Sequence, residues 1–227
     1  MYFKYYLPVF FFLCIYNTHA QDTVCKKSII PTPYWTIKLP LWNFMDLYAP
    51  NLQLGLERRL DKQQGIQFIG GISVDQAPLQ NRNTQGFKVN GFRFKGEYKR
   101  YFHFRKYCTY YFAGELFYTQ YKMYAEESFI TPVDSIIYSD HYLLFTQKYG
   151  LNIKFGIQRI FLKHFLVEIY GGLGIEHHLA TQAGRSNPND PIYHYPSHEL
   201  HFQYNFDKAD EYTISMPINC AIGYIFR

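Results

Sequence analysis

The chain has 227 residues, 48% hydrophobic and only 18% charged, and its mean hydropathy is −0.27 because 23 Tyr and 21 Phe carry much of the apolar content. That composition excludes disorder and favours strands, and no apolar run reaches the roughly 20 residues of a transmembrane helix. A net charge of +5 is too mild to imply a nucleic-acid partner, and the length allows one β domain.

The first element in the chain reads as an export signal. Lys4 supplies a positive start, Leu7 to Tyr16 form a short apolar core, and Thr18-His19-Ala20 ends in small residues at the positions that signal peptidase reads. Residues 1–20 are therefore expected to be cleaved, 21–33 to form a periplasmic N-terminal segment and 34–227 a barrel. A lipoprotein signal fits less well, because neither Cys14 nor Cys25 follows a small residue. Cys25, Cys108 and Cys220 are too few and too dispersed for a disulfide framework and lack CxxC spacing. A Cys25–Cys108 pair stays open.

Alternation with a period of two dominates the rest. Strands are expected at about 34–43, 51–60, 65–74, 91–101, 108–122, 146–158, 165–178 and 212–226. Phe92, Phe94, Gly96 and Tyr98 alternate with Arg93, Lys95, Glu97 and Lys99; Tyr149, Leu151, Ile153, Phe155 and Ile157 with Gly150, Asn152, Lys154, Gly156 and Gln158. These runs approach the 9 to 11 residues of a tilted strand in a bilayer, against about 5 to 6 in a sandwich. Short connections at 61–64, 102–107 and 159–164 alternate with long ones at 75–90, 123–145 and 179–211, as turns and surface loops do in outer-membrane barrels. The expectation is an all-β, antiparallel, up-and-down transmembrane barrel of eight strands. Glu199 to Phe206 also alternates, so ten strands are possible if Ser135 to Leu144 adds another.

The polar faces place Glu57, Arg59, Arg93, Lys95, Glu97, Lys99, Glu115, Lys154, Glu168 and Glu176 in the lumen. Both signs of charge occur, so a packed salt-bridge network that pins the register is expected; a proton or ion path is the functional alternative. Aromatics gather at strand ends, with Tyr101, Phe102, Phe104, Tyr107, Phe161 and Phe165 near the turns and Tyr118, Tyr121, Tyr124, Tyr142, Phe145 and Tyr212 toward the loops. They read as two girdles at the water–lipid boundaries.

Other chemistry is thinner. His194, His198 and His201 have spacings that zinc accepts, with His177-His178 and Glu199 nearby, but nothing forces their rings to converge, so neither metal nor cofactor is expected. The segment Glu176 to Gly184 is loosely similar to the strand-end segment of lipid A deacylases, in which a nucleophilic Ser follows a His two places later. Here Leu179 and Ala180 hold those positions, and Thr181 is expected to face the opposite side of the strand. A non-enzymatic barrel is expected, with a lipid-modifying enzyme or a small-solute conduit as alternatives.

Several segments together, Ile37-Lys38-Leu39 to Trp42, Pro50-Asn51-Leu52, Gly55-Leu56-Glu57, Gly96 to Tyr101, Gly150 to Gln158 and Tyr170 to Gly174, resemble a family of outer-membrane β-barrels of unknown function common in bacteroidete bacteria. The resemblance implies location and fold and no agreed activity. Tyr224 and Phe226 resemble the C-terminal aromatic signal read by the barrel-assembly machinery, although Arg227 follows them. The partners expected are outer-membrane lipid and lipopolysaccharide, that machinery during biogenesis, and an envelope or extracellular protein met through 123–145 and 179–211.

Overall fold

Each of the eight expected strand segments forms strand, and neighbours pair antiparallel. The computed structural model describes residues 33–42, 51–73, 89–104, 108–132, 134–162, 164–187, 189–191 and 209–226. The expected leader and nearly all of 21–33, together with Cys25, His194, His198, Glu199 to Phe206 and Arg227, lie outside them. The strands are β1 (Tyr34–Pro40), β2 (Asn51–Arg59), β3 (Gln64–Ser73), β4 (Val89–Phe104), β5 (Cys108–Ile130), β6 (Ile137–Phe161), β7 (Phe165–Ala183), β8 (Ala209–Ser215) and β9 (Ile218–Phe226). β1 pairs with β9, β9 with β7, and β7 with β6, so the sheet closes on itself without an edge.

The barrel has eight strands because β8 and β9 are two pieces of one. Against β7 the pairing runs Gly174↔Ser215 in one piece and Gly171↔Ile218 in the other, a continuous register interrupted at Met216-Pro217. Pro217 has no N–H to give the ladder, and its ring restricts the residue before it. The wall is also tightly curled here: a Cβ on Gly174 would sit 2.2 Å from the Leu151 carbonyl oxygen, and one on Gly172 2.4 Å from that of Ile153. Glycine is required at both positions.

The turns follow their local chemistry. Asp61 Oδ1 accepts the N–H groups of Gln63 and Gln64 at 2.6 and 2.7 Å, while Arg59 donates to the carbonyls of Asp61 and Lys62. An Asx turn thus joins β2 to β3. Side chains then sort by parity. Along β2, Asn51, Gln53, Gly55, Glu57 and Arg59 are buried while Leu52, Leu54, Leu56 and Arg58 are exposed. The same inversion, polar inside and apolar outside, holds on β4, on most of β7 and on the lower parts of β5 and β6, while β9 turns mainly small residues inward, Ala221 and Gly223 beside Asn219.

One expected loop is strand. Residues 123–145 continue β5 to Ile130 and β6 from Ile137, with cross-strand pairs out to Ile130↔Ile137 and only 131–136 left to turn. The segment Ser135 to Leu144 therefore lengthens β6 and adds no barrel strand. Likewise β7 runs on through Leu179 to Ala183. The reading stopped early because the face rule reverses above the barrel. There Tyr121, Met123, Phe129, Tyr142 and Leu144 are buried on the inner side, with Ala180 of β7, while Lys122 and His141 are exposed.

Candidate functional site: the charged lumen and its rims

Alternation brings lysines and glutamates from opposite walls into one space. Among the buried residues are Lys38, Lys95, Lys99 and Lys154, matched by Glu57, Glu97, Glu115 and Glu168. Lys38 Nζ donates to Glu57 and to Glu168, each at 2.5 Å, and Lys99 Nζ to the same two carboxylates at 3.0 and 2.6 Å. Higher up, Lys154 bonds Glu97 and reaches Glu115 at 2.8 Å, with Lys95 3.9 Å from Glu115. Lys99 lies 3.6 Å from Glu97 and joins the two groups.

Neutral side chains complete the packing. Gln158 donates to Glu57 and Glu168 at 3.2 Å each, Asn152 donates to Glu115 at 2.6 Å, and the Tyr101 hydroxyl donates to Glu57. The turn end is plugged by the Arg59 guanidinium, 3.2 Å from the centroid of the Tyr101 ring. Lys99 stands over Tyr111 at 4.6 Å and Lys154 over Tyr170 at 4.3 Å. Four lysines against four glutamates, with Arg59 a fifth cation spent on the turn carbonyls, is an arrangement in which buried charge is tolerated because it is paired and hydrogen-bonded.

The expected lumen residues divide by depth. Glu57, Arg59, Lys95, Glu97, Lys99, Glu115, Lys154 and Glu168 are buried. Arg93 and Glu176 are only half-buried near the loop end, where Arg93 donates to Thr119 at 2.8 Å and Glu176 accepts from Lys148 at 3.4 Å. Sequence reasoning missed Lys38, Gln67 and Tyr111 as members; it put Gln158 on the face of Lys154 and Tyr170 on that of Glu168 without joining them to the charges. Parity contained the signal for Lys38, which alternates with Ile37 and Leu39, but β1 is short and the partners are 19 and 130 residues away.

Three girdle assignments need correction. Tyr101, Tyr121 and Tyr142 are buried on the inner side. Each shares the parity of an inward neighbour, and parity governs direction more strictly than does position near a strand end. Outward rings do cluster at both ends. The ring centroids of Phe102, Phe112 and Phe155 lie 5.1 to 6.1 Å apart near the turns, and those of Tyr149, His177 and Tyr212 follow one another at 5.1 and 4.4 Å toward the loops. Tyr224, of the expected assembly signal, is exposed with its ring 5.6 Å from Phe165; Phe226 pairs with Trp35 across the β1–β9 closure. Phe104 is in β4 and Tyr107 lies outside the described residues.

His177 connects three strands on the outer face. Its Nδ1 is hydrogen-bonded to the Tyr149 hydroxyl and its Nε2 to Asp210, both at 2.8 Å. Such a chain can relay a proton or tie β6, β7 and β8 together. Facing the side opposite His178 as expected, Thr181 shares the outer face with His177. Four residues along a strand separate them by about 13 Å, too far for its hydroxyl to meet the imidazole. Among the described residues no group of three His, Cys, Asp or Glu is placed to hold a metal.

The outer face also carries a groove of about 780 Å³ across β2 to β5. Gly70 and Gly96 point outward there, with the Phe94 and Phe68 rings leaning over them so that added Cβ atoms would meet ring carbons at 3.7 and 3.8 Å. Leu54 and Leu56 form its β2 wall. No protein-family model matches the chain, and no curated protein is detectably similar to it.

Proposed function

We propose that the chain is a small outer-membrane barrel whose lumen is filled by side chains and whose role is structural or one of surface interaction through the loop end, without catalysis. One observation carries the reading: the barrel is apolar outside and charged within. Leu54, Phe68, Leu116, Ile153, Leu173 and Ile214 are 60%, 66%, 65%, 64%, 61% and 77% exposed. Each would sacrifice about 1.5 to 3 kcal/mol of burial in water, which a hydrocarbon surround restores. A closed sheet is the strand architecture that leaves no backbone group unpaired in lipid.

The polarity switch on β5 and β6 supports the same reading. Above Thr119 and Thr146 the inner side becomes apolar, as it must where the outer side meets water. The Lys/Glu network supports a structural lumen over a conduit, because an eight-stranded barrel has room for little beyond its own side chains. The test is recovery with outer membranes, a shift in gel mobility on heating, and silence in planar bilayers. A soluble species with no heat-dependent shift overturns the membrane reading, and stable single-channel steps overturn the filled lumen.

A further inference from the structure

We propose that the outer face of β2–β4 binds one phospholipid, its phosphate held between Arg58 and Arg100 and one acyl chain lying in the groove over Gly70 and Gly96. This rests on the membrane reading above. Arg58 on β2 and Arg100 on β4 are both exposed and both point outward near the short turns, with β3 between them. No Asp or Glu of the described strands β1 to β5 has outward parity below the groove, and the nearby Asp61 caps its own turn. Two guanidinium groups with no facing carboxylate at an apolar boundary are suited to a phosphate, which arginine binds through paired N–H donors.

The groove continues upward from this pair on the same strands. Leu56 and Leu54 follow Arg58 in outward phase, and Gly96 stands four residues above Arg100, about 13 Å along the strand. Its lining includes Phe68 and Phe94. Ile66 and Tyr98, paired across β3 and β4, bridge the headgroup position and the groove. The arginines lie at the turn end, which faces the periplasm in the proposed orientation, so the occupant is a phospholipid of that leaflet.

Trp35 reports on the site: the Arg58 guanidinium lies 5.1 Å from its ring centroid, on the β1 side of β2, and must turn from that ring toward β3 to meet the phosphate. The experiment uses the full barrel in a Trp42→Phe background, refolded into phosphatidylcholine vesicles doped with phosphatidylglycerol or phosphatidylcholine brominated on the acyl chain. Folding of each variant is checked by the heat-dependent gel shift. Brominated phosphatidylglycerol should quench Trp35 at lower mole fraction, with a preference of about fivefold per arginine. Arg58→Gln with Arg100→Gln should abolish the preference, and Arg159→Gln, on β6 away from the groove, should leave it intact. Gly96→Leu fills the groove where a Cβ already fits, and should weaken quenching by both lipids. A preference that survives the double substitution, or quenching indifferent to Gly96→Leu, overturns the site. If neither lipid quenches Trp35 in the parent protein, the membrane reading fails and the site with it.

Discussion

The same two strands, β5 and β6, build two interiors of opposite chemistry. Below Thr119 and Thr146 their inward side chains include Glu115, Asn152, Lys154 and Gln158 beside Tyr111 and Ala113; above, they include Tyr121, Met123, Phe129, Tyr142 and Leu144. The lower interior is held by ions from strands all round the barrel, with Lys38 of β1, Glu57 of β2, Gln67 of β3, Lys99 of β4 and Glu168 of β7 in direct contact. The upper one is a local apolar cluster covered by the connection after β7. There the Arg185 guanidinium lies 4.0 Å from the Phe129 ring centroid, Tyr138 donates to Asp190 at 2.7 Å, and the Ser186 N–H donates to Asp140 at 2.8 Å. What surrounds a sheet thus decides which side chains can be spared for its inside, and the reach of each cluster decides how much of the molecule depends on it.

Breaking the lower interior should have the largest effect. Lys99→Met leaves Glu57 and Glu168 short of a cation in a dry space and should destabilise the barrel by about 3 to 5 kcal/mol in urea unfolding, whereas Lys99→Met with Glu168→Leu should recover part of that loss. The surround comes next. Ile153→Arg, on the outer face near mid-barrel, should cost about 2 to 4 kcal/mol in lipid, and Asn152→Ser on the inner face much less. Equal tolerance would show that the outer face does not meet lipid.

The upper interior should fail locally. Phe129→Ala should expose the 184–191 connection to proteolysis while leaving barrel unfolding within about 0.5 kcal/mol of the parent, since those contacts lie outside the barrel's network. The smallest effect is one of pH. The backbone N–H of Ser186, with that of His141, holds the Asp140 carboxyl below its ordinary value of 3.8. A depressed folded value means that the latch contributes above the unfolded value and is lost as pH falls through the folded one. The protection of the Ser186 amide, taken against its intrinsic exchange rate at each pH, should therefore persist at neutral pH and fall in acid below pH 3.8, and Asp140→Asn should blunt that fall.

Much of this was legible residue by residue. The alternation at Tyr149 to Gln158 locates β6 within the barrel and assigns its faces, because a strand's side-chain period is 2 whatever it pairs with. Long-range partners were not legible: that Lys38 bridges Glu57 and Glu168, or that His177 joins Tyr149 to Asp210, depends on register across strands far apart in the chain. The direction of Tyr101 was available from the parity of Lys99 but was outweighed by its place near a turn.

By itself, the sequence determined the alternation and the polarity of the barrel wall and placed eight strands while leaving ten open, since these follow from local periodicity and from which side chains tolerate which surround. Tertiary structure alone decided the closure of β1 on β9, the ion pairing, and the continuation of β5 and β6 beyond the charged interior. That continuation could not be read locally, because the inward face there trades charge for Phe129 and Tyr142, and only the covering contacts of Arg185 and Asp190 reveal which side is the inside.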